Sequence, residues 1–149
     1  MGTIAVWYMD GANLTGTATI LTLPDDAYWK VVGTGGFNRD GYTDLVLQYD
    51  RPGNASDGDI QIWELNGVTR TSKIALGRLI DSSDPNWRTV ATGDYSDPQD
   101  NYTDLVFQYG TRTGWGGTVK VQFMTGTSTN GSPVTVSTSP GTYNVAGPR

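Results

Sequence analysis

The sequence contains no cysteine and no histidine. Without cysteine no disulfide can staple the fold, so the core must hold itself together. Without histidine the commonest general base and the commonest transition-metal ligand are both missing. Triads of the Ser-His or Cys-His type are excluded, and a zinc site loses its usual donors. Charge is also scarce, at 17% of residues, and basic charge scarcer still: ten Lys and Arg against fifteen Asp and Glu give a formal net charge of −5. The basic residues are scattered and form none of the clusters on which nucleic-acid binding relies, so nucleic acid is not an expected partner. Long hydrophobic runs are missing too. The longest covers about six residues, where a membrane helix needs about 20, so no membrane span is expected. No stretch of helical periodicity is free of Gly or Pro; the nearest, "TSKIALGRLI", is interrupted by Gly77. No secretory signal is read either, because Met1-Gly2-Thr3 leads straight into strand-like sequence.

What is present is glycine, at 20 of 149 residues, and aromatic side chains, at 11%. Both suit short strands joined by turns. The phrase "TDLVLQYD" at 43–50 returns sixty positions later as "TDLVFQYG" at 103–110. It belongs to a longer pattern, "YWKVVGTGGFNRDGYTDLVLQYD" against "NWRTVATGDYSDPQDNYTDLVFQYG". Each copy runs through a Gly-rich loop into an alternating strand, "DIQIWELNG" or "TVKVQFMTG". A further copy of that strand, "IAVWYMDG", stands near the N-terminus, and a further copy of the opening strand, "TYNVAGP", near the C-terminus. Trp29 to Trp87 is 58 positions, Trp87 to Tyr143 is 56, Trp7 to Trp63 is 56, and Trp63 to Phe123 is 60.

A period of this length with about four strands is the sequence form of a β-propeller blade, a small sheet that cannot bury its faces alone. Period-2 alternation in "IQIWEL" puts Ile60 and Ile62 on one face and Trp63 and Leu65 on the other, so both faces are apolar. The expected fold is all-β, with blades of four antiparallel strands: a partial blade over 1–27, blades over 28–85 and 86–141, and the first strand of a next or shared blade over 142–149. That is about 2.5–3 blades. A ring needs at least about four, so it is completed by oligomerisation, a dimer giving about six blades, or the chain is a propeller fragment. The aromatics that recur at the blade period, Trp29, Trp87 and Tyr143, and Trp7, Trp63 and Phe123, are expected in the core.

The pattern of Trp strand, Gly-Asp turn, "TDLV" strand and "IWxxNG" strand resembles the FG-GAP/VCBS repeats, the blades of integrin-α-like propellers and of propeller lectins, over nearly the whole chain. The resemblance implies an extracellular or cell-surface protein. It also implies a calcium loop, D-x-[DN]-x-D-G-x-x-D, in the turn between the first and second strands, where oxygen donors at alternate positions wrap a hard cation. The first copy, "GFNRDGYTD", retains Asn38, Asp40 and Asp44, with Gly36 replacing the leading Asp and the Tyr42 carbonyl at the backbone position. The second, "DYSDPQDNYTD", retains Asp94, Ser96, Asp100 and Asp104, adds Asp97, is two residues longer, and has Asn101 where the motif has Gly. Turn Asp and Asn also cap backbone amides without metal, so both readings stand at this stage.

Loops 50–59 and 110–118 join the second and third strands and exceed a tight hairpin. Trp115, flanked by Gly114 and Gly116, offers an indole face to a sugar ring, with Arg112, Asn54 and Asp57 as hydrogen-bonding neighbours. The alternative is that Trp115 folds back as a lid on its own blade. The sequence therefore reads as a non-enzymatic, lectin-like module binding carbohydrate or a glycoconjugate. The competing reading is an assembly protein whose unpaired end strands join subunits. No acid–base pair supports an enzyme.

Overall fold

Among the described residues strands form on the alternating segments with one interruption, and turns fall on the Gly- and Asp-rich stretches. The computed structural model describes residues 3–22, 27–96, 98–110 and 117–137. Among them there is no helix, and hence none long and apolar enough to cross a membrane. β1 (Thr3–Asp10) and β2 (Asn13–Thr22) form an antiparallel hairpin. β3 (Trp29–Gly35), β4 (Asp44–Tyr49), β5 (Ile60–Asn66) and β6 (Thr69–Gly77) form a four-stranded antiparallel meander. The next repeat supplies β7 (Trp87–Gly93), β8 (Asp104–Tyr109) and β9 (Val119–Gln122). A small hairpin follows, β10 (Met124–Thr125) with β11 (Ser128–Thr129), and then β12 (Val134–Ser137) returns to pair with β9. The second sheet has the order β12-β9-β8-β7, and among the described residues no sheet is closed.

The single strand expected over "TVKVQFMTG" is broken at Phe123. Gly126, at φ +66, closes the β10–β11 turn, and this hairpin pairs apart from the sheet. The strand expected at 142–148 lies outside the described residues.

The two sheets repeat each other in detail. Trp29 pairs with Tyr49 and Trp87 with Tyr109, and each pair meets edge to face with ring centroids 5.2 Å apart. The first strand of each sheet carries a register shift at the same place, between Val31 and Gly33 and between Thr89 and Ala91. Gly41, at φ +85, and Asn101, at φ +62, hold the same left-handed turn position, which explains why Asn can stand for Gly there.

Side-chain parity then builds the core in layers. Val46, Ile60 and Ile62, on one face of the first sheet, meet Leu105 and Phe107 of the second and Met124 of the small hairpin, with Phe37 sealing one end. The opposite face of the first sheet carries Trp29, Leu45, Leu47, Trp63 and Leu65, against which Ile4 of the hairpin packs. The opposite face of the second sheet carries Ala91, Val106 and Val121. Trp63 is 0% exposed, and Trp29 is buried. Trp87 and Phe123 are half-buried. Trp7 breaks the rule. The residue at the Trp63 position of the hairpin is 68% exposed, because nothing among the described residues covers that side of β1. Tyr143 lies outside the described residues.

Candidate functional site

The turns 36–43 and 94–103 lie side by side at one end of the two sheets. Each is anchored by the Asp that opens the second strand. Asp44 is fully buried; its Oδ2 accepts from the Phe37 amide at 2.9 Å and its Oδ1 from the Leu65 amide at 2.9 Å. Asp104 repeats this with the Tyr95 amide at 2.8 Å and the Met124 amide at 2.9 Å. One carboxylate thus ties the turn before its strand to the strand beside it. Burial of so polar a group is tolerable because each oxygen has a backbone donor.

The remaining acidic residues hold their own turns. The Asp40 amide donates to Asn38 Oδ1, Asn38 Nδ2 donates to Asp40 Oδ2, and the Tyr42 amide donates to Asp40 Oδ1. Asp94 accepts from the Ser96 hydroxyl and from the Asn101 amide, and Asp100 from the Tyr102 amide. Desolvation pushes the Asp94 carboxyl up, but the Asn101 amide and the Ser96 hydroxyl outweigh it, and the group sits below the usual carboxylate value. Among the described residues no three carboxylates converge as a cation cage. Asp44 and Asp104, the donors a calcium loop needs at its close, turn both oxygens inward to amides. Among the described residues, Asn38, Asp40, Asp94, Ser96 and Asp100 are arranged as hydrogen-bonded turns, and these donors alone fall short of the 6–8 oxygens calcium takes. Asp97 lies outside the described residues.

The two turns also bond to each other. The Thr103 amide donates to the Gly36 carbonyl at 3.2 Å, and the Gly36 amide donates to Thr103 Oγ1 at 2.9 Å. Thr92 Oγ1 donates to the Thr34 carbonyl at 2.7 Å. Backbones come this close because Gly33 and Gly35 have no Cβ; one added at either would collide with Thr92 or Thr103. Arg39 crosses the junction, its guanidinium 3.6 Å from the centre of the Tyr102 ring and donating to the Asp100 carbonyl. Between the turns lies an open groove of about 520 Å³, lined by Gly36, Arg39, Gly41, Tyr42, Thr43 and Asn101. Tyr42 is 46% exposed beside it.

No family model, no curated protein and no solved structure matches this chain. The site is therefore judged on its own chemistry.

Loop 50–59 is at the opposite end of the sheets, and both residues read there as ligand-binding make hydrogen bonds within the fold. Asp57 is 3% exposed. Its carboxylate pairs with Arg88 at 3.2 Å, and its carbonyl accepts from Arg78 Nε at 2.7 Å. Asn54 Oδ1 accepts from the Ser56 amide and shapes the loop. Arg78 completes the scaffold by donating to the carbonyls of Ala55 and Ser82. A carboxylate already buried against Arg88 is not presented to a ligand. Arg112 and Trp115 lie outside the described residues. Arg39 and Thr43 were not singled out from the sequence as ligand groups, and Tyr42 was read only through its carbonyl. The signal available was the shared "YTD" before each second strand, where Tyr42 and Tyr102 recur at a turn rather than inside a strand.

Buried Gln48 is a second unforeseen element. Its Nε2 donates to the Trp87 carbonyl at 2.9 Å and to the Gly58 carbonyl at 3.2 Å, and its Oε1 accepts from the Thr89 amide at 3.0 Å. Trp87 and Thr89 flank one residue on β7, the outermost strand of its sheet. The carboxamide bonds to them as the peptide of a parallel strand would, so a side chain from one sheet caps the edge of the next.

Proposed function

We propose that this chain is a non-enzymatic carbohydrate-binding module, built of blades of FG-GAP/VCBS type and acting outside the cell, and that a neutral saccharide occupies the groove between the two turns. The observation that carries this reading is the grouping of exposed Tyr42 with Arg39, Thr43 and Asn101 around a groove of about 520 Å³. Small-ligand clefts span roughly 300–1,000 Å³. An aromatic ring offers a stacking face for the C–H side of a pyranose. The Thr43 hydroxyl, the Asn101 amide and exposed backbone offer both donors and acceptors to sugar hydroxyls. Asp40, Asp94 and Asp100 nearby favour a neutral sugar over an acidic one. The groove is open, so a single site is weak, and repetition on a multivalent glycan supplies avidity.

On a broad glycan array the protein is expected to be retained by neutral glycans at high surface density. Tyr42→Ala should weaken binding at least tenfold while leaving the melting temperature unchanged, since the ring is half-exposed. Trp115→Ala is the comparison arm: loss of binding there with Tyr42→Ala unaffected would move the site to loop 110–118. Retention on no glycan at all would remove the carbohydrate reading.

Calcium is expected to play no part in this binding. A site a hundredfold saturated would add about 2.7 kcal/mol of stability. Melts in millimolar Ca²⁺ and in chelator should instead coincide. A rise of several degrees with Ca²⁺, abolished by Asp100→Ala, would restore the cation to the second turn.

A further inference from the structure

Each layer of the molecule meets its neighbour through faces of opposite sense. Residues such as Val46 and Ile62 on the first sheet face forward to the second sheet, and Leu105 and Phe107 on the second face back to meet them. One layer earlier, Ile4 of the hairpin faces forward, and Leu45, Leu47, Trp63 and Leu65 of the first sheet face back to it. Two faces are left over. The backward face of the hairpin carries Trp7 and Met9, with Leu14 paired to Met9 across the turn, and all three are more than half exposed. On the forward face of the second sheet, the part over β7 and β8 is covered, Ala91 and Val106 being buried. The part over β12 is open, with Val134 49% and Val136 64% exposed. Val134 pairs with Val121, so the open strip continues the buried layer.

The repeat gives these two faces their meaning. Trp7 stands where Trp63 is fully buried. Val134 and Val136 stand where Ile74 is half-buried and where Leu76 packs into the interface between the sheets. The uncovered strip of the second sheet lies over the fourth strand of its repeat, and the hairpin corresponds to the third and fourth strands of another. Patches of this kind rarely stay bare on a monomer.

We propose that chains associate head to tail. The hairpin of one copy lies on the outer edge of the second sheet of the next, and Trp7, Met9 and Leu14 meet Val134 and Val136. The contact continues the layering already present inside the chain, with a second copy as the occupant. It is heterologous, using two different surfaces, so it propagates until a ring closes or a filament grows.

Light scattering on the intact chain at tens of micromolar should give a multiple of its 16.0 kDa mass. Trp7→Glu should return it to single chains, and so should Val134→Glu combined with Val136→Glu. These positions are solvent-exposed in the single chain, so circular dichroism should show both variants folded. The two variants mixed are the deciding case. One retains a sound second sheet and the other a sound hairpin, so together they should form a two-chain species and grow no further. A single-chain mass for the unaltered protein would overturn the proposal. Oligomers persisting in Trp7→Glu would do the same. Folded variants that stay separate on mixing would overturn the head-to-tail contact, and a Val134→Glu/Val136→Glu variant that still assembles would overturn it in favour of hairpin meeting hairpin.

Discussion

Asp44→Ala is expected to lower the stability of the fold by about 3–5 kcal/mol, and Asp104→Ala by a similar amount. Each residue is 0% exposed and its carboxyl group accepts from two backbone amides, one in the preceding turn and one farther along the chain, Leu65 in β5 for Asp44 and Met124 in the small hairpin for Asp104. Truncation leaves both amides buried without a partner, at roughly 1–3 kcal/mol each. A domain of this size has only about 5–15 kcal/mol in hand. Asp44→Asn is the informative intermediate. It retains one acceptor but turns an NH2 toward the other amide, so it should recover no more than about half of the loss. Urea unfolding monitored by tryptophan fluorescence measures all three. A cost below about 1 kcal/mol for Asp44→Ala would mean that the amides find other partners, and the clamp would lose its standing.

Gln48→Ala is expected to cost about 2–4 kcal/mol. It strands the Thr89 amide and weakens the satisfaction of two carbonyls at a buried junction. The change has a local signature that a general loosening lacks. Hydrogen exchange at the Thr89 amide should accelerate well beyond that of amides in β4 and β5, because Gln48 is what covers that edge. If the Thr89 amide stays as protected as before, water or a rearranged neighbour has taken over and the edge-capping role is wrong.

Much of the scaffold was legible in the sequence because the repeat writes the same physical task twice. "TDLV" recurs because its Asp must face two amides and its next three residues must fill both faces of a covered strand. The alternation of "IQIWEL" places Ile62 and Trp63 correctly on opposite sides. What repetition cannot convey is which neighbours are present. Trp7 has the residue type of a core position, and its burial depends on a layer that nothing among the described residues supplies. Asp57 misled for a related reason. Its surroundings suggest a surface loop, but Arg88, 31 positions on, reaches back to it. The groove shares that origin. Tyr42 and Asn101 belong to different repeats, and they line one groove only because glycines let the two backbones close together. Gln48 left a readable trace that was not used: a polar residue in an apolar strand, repeated as Gln108.

The opposed faces give the molecule a direction, and direction makes it extensible. A unit like residues 28–85 touches its predecessor with one set of side chains and its successor with another, and the glutamine that reaches across belongs to the unit itself. A further unit of the same kind, spliced between the two sheets by tandem duplication of its coding segment, would find both of its neighbours already complementary. Stability would then grow by one unit and one junction at a time. Such a chain can change length in whole steps without redesigning any surface it already has.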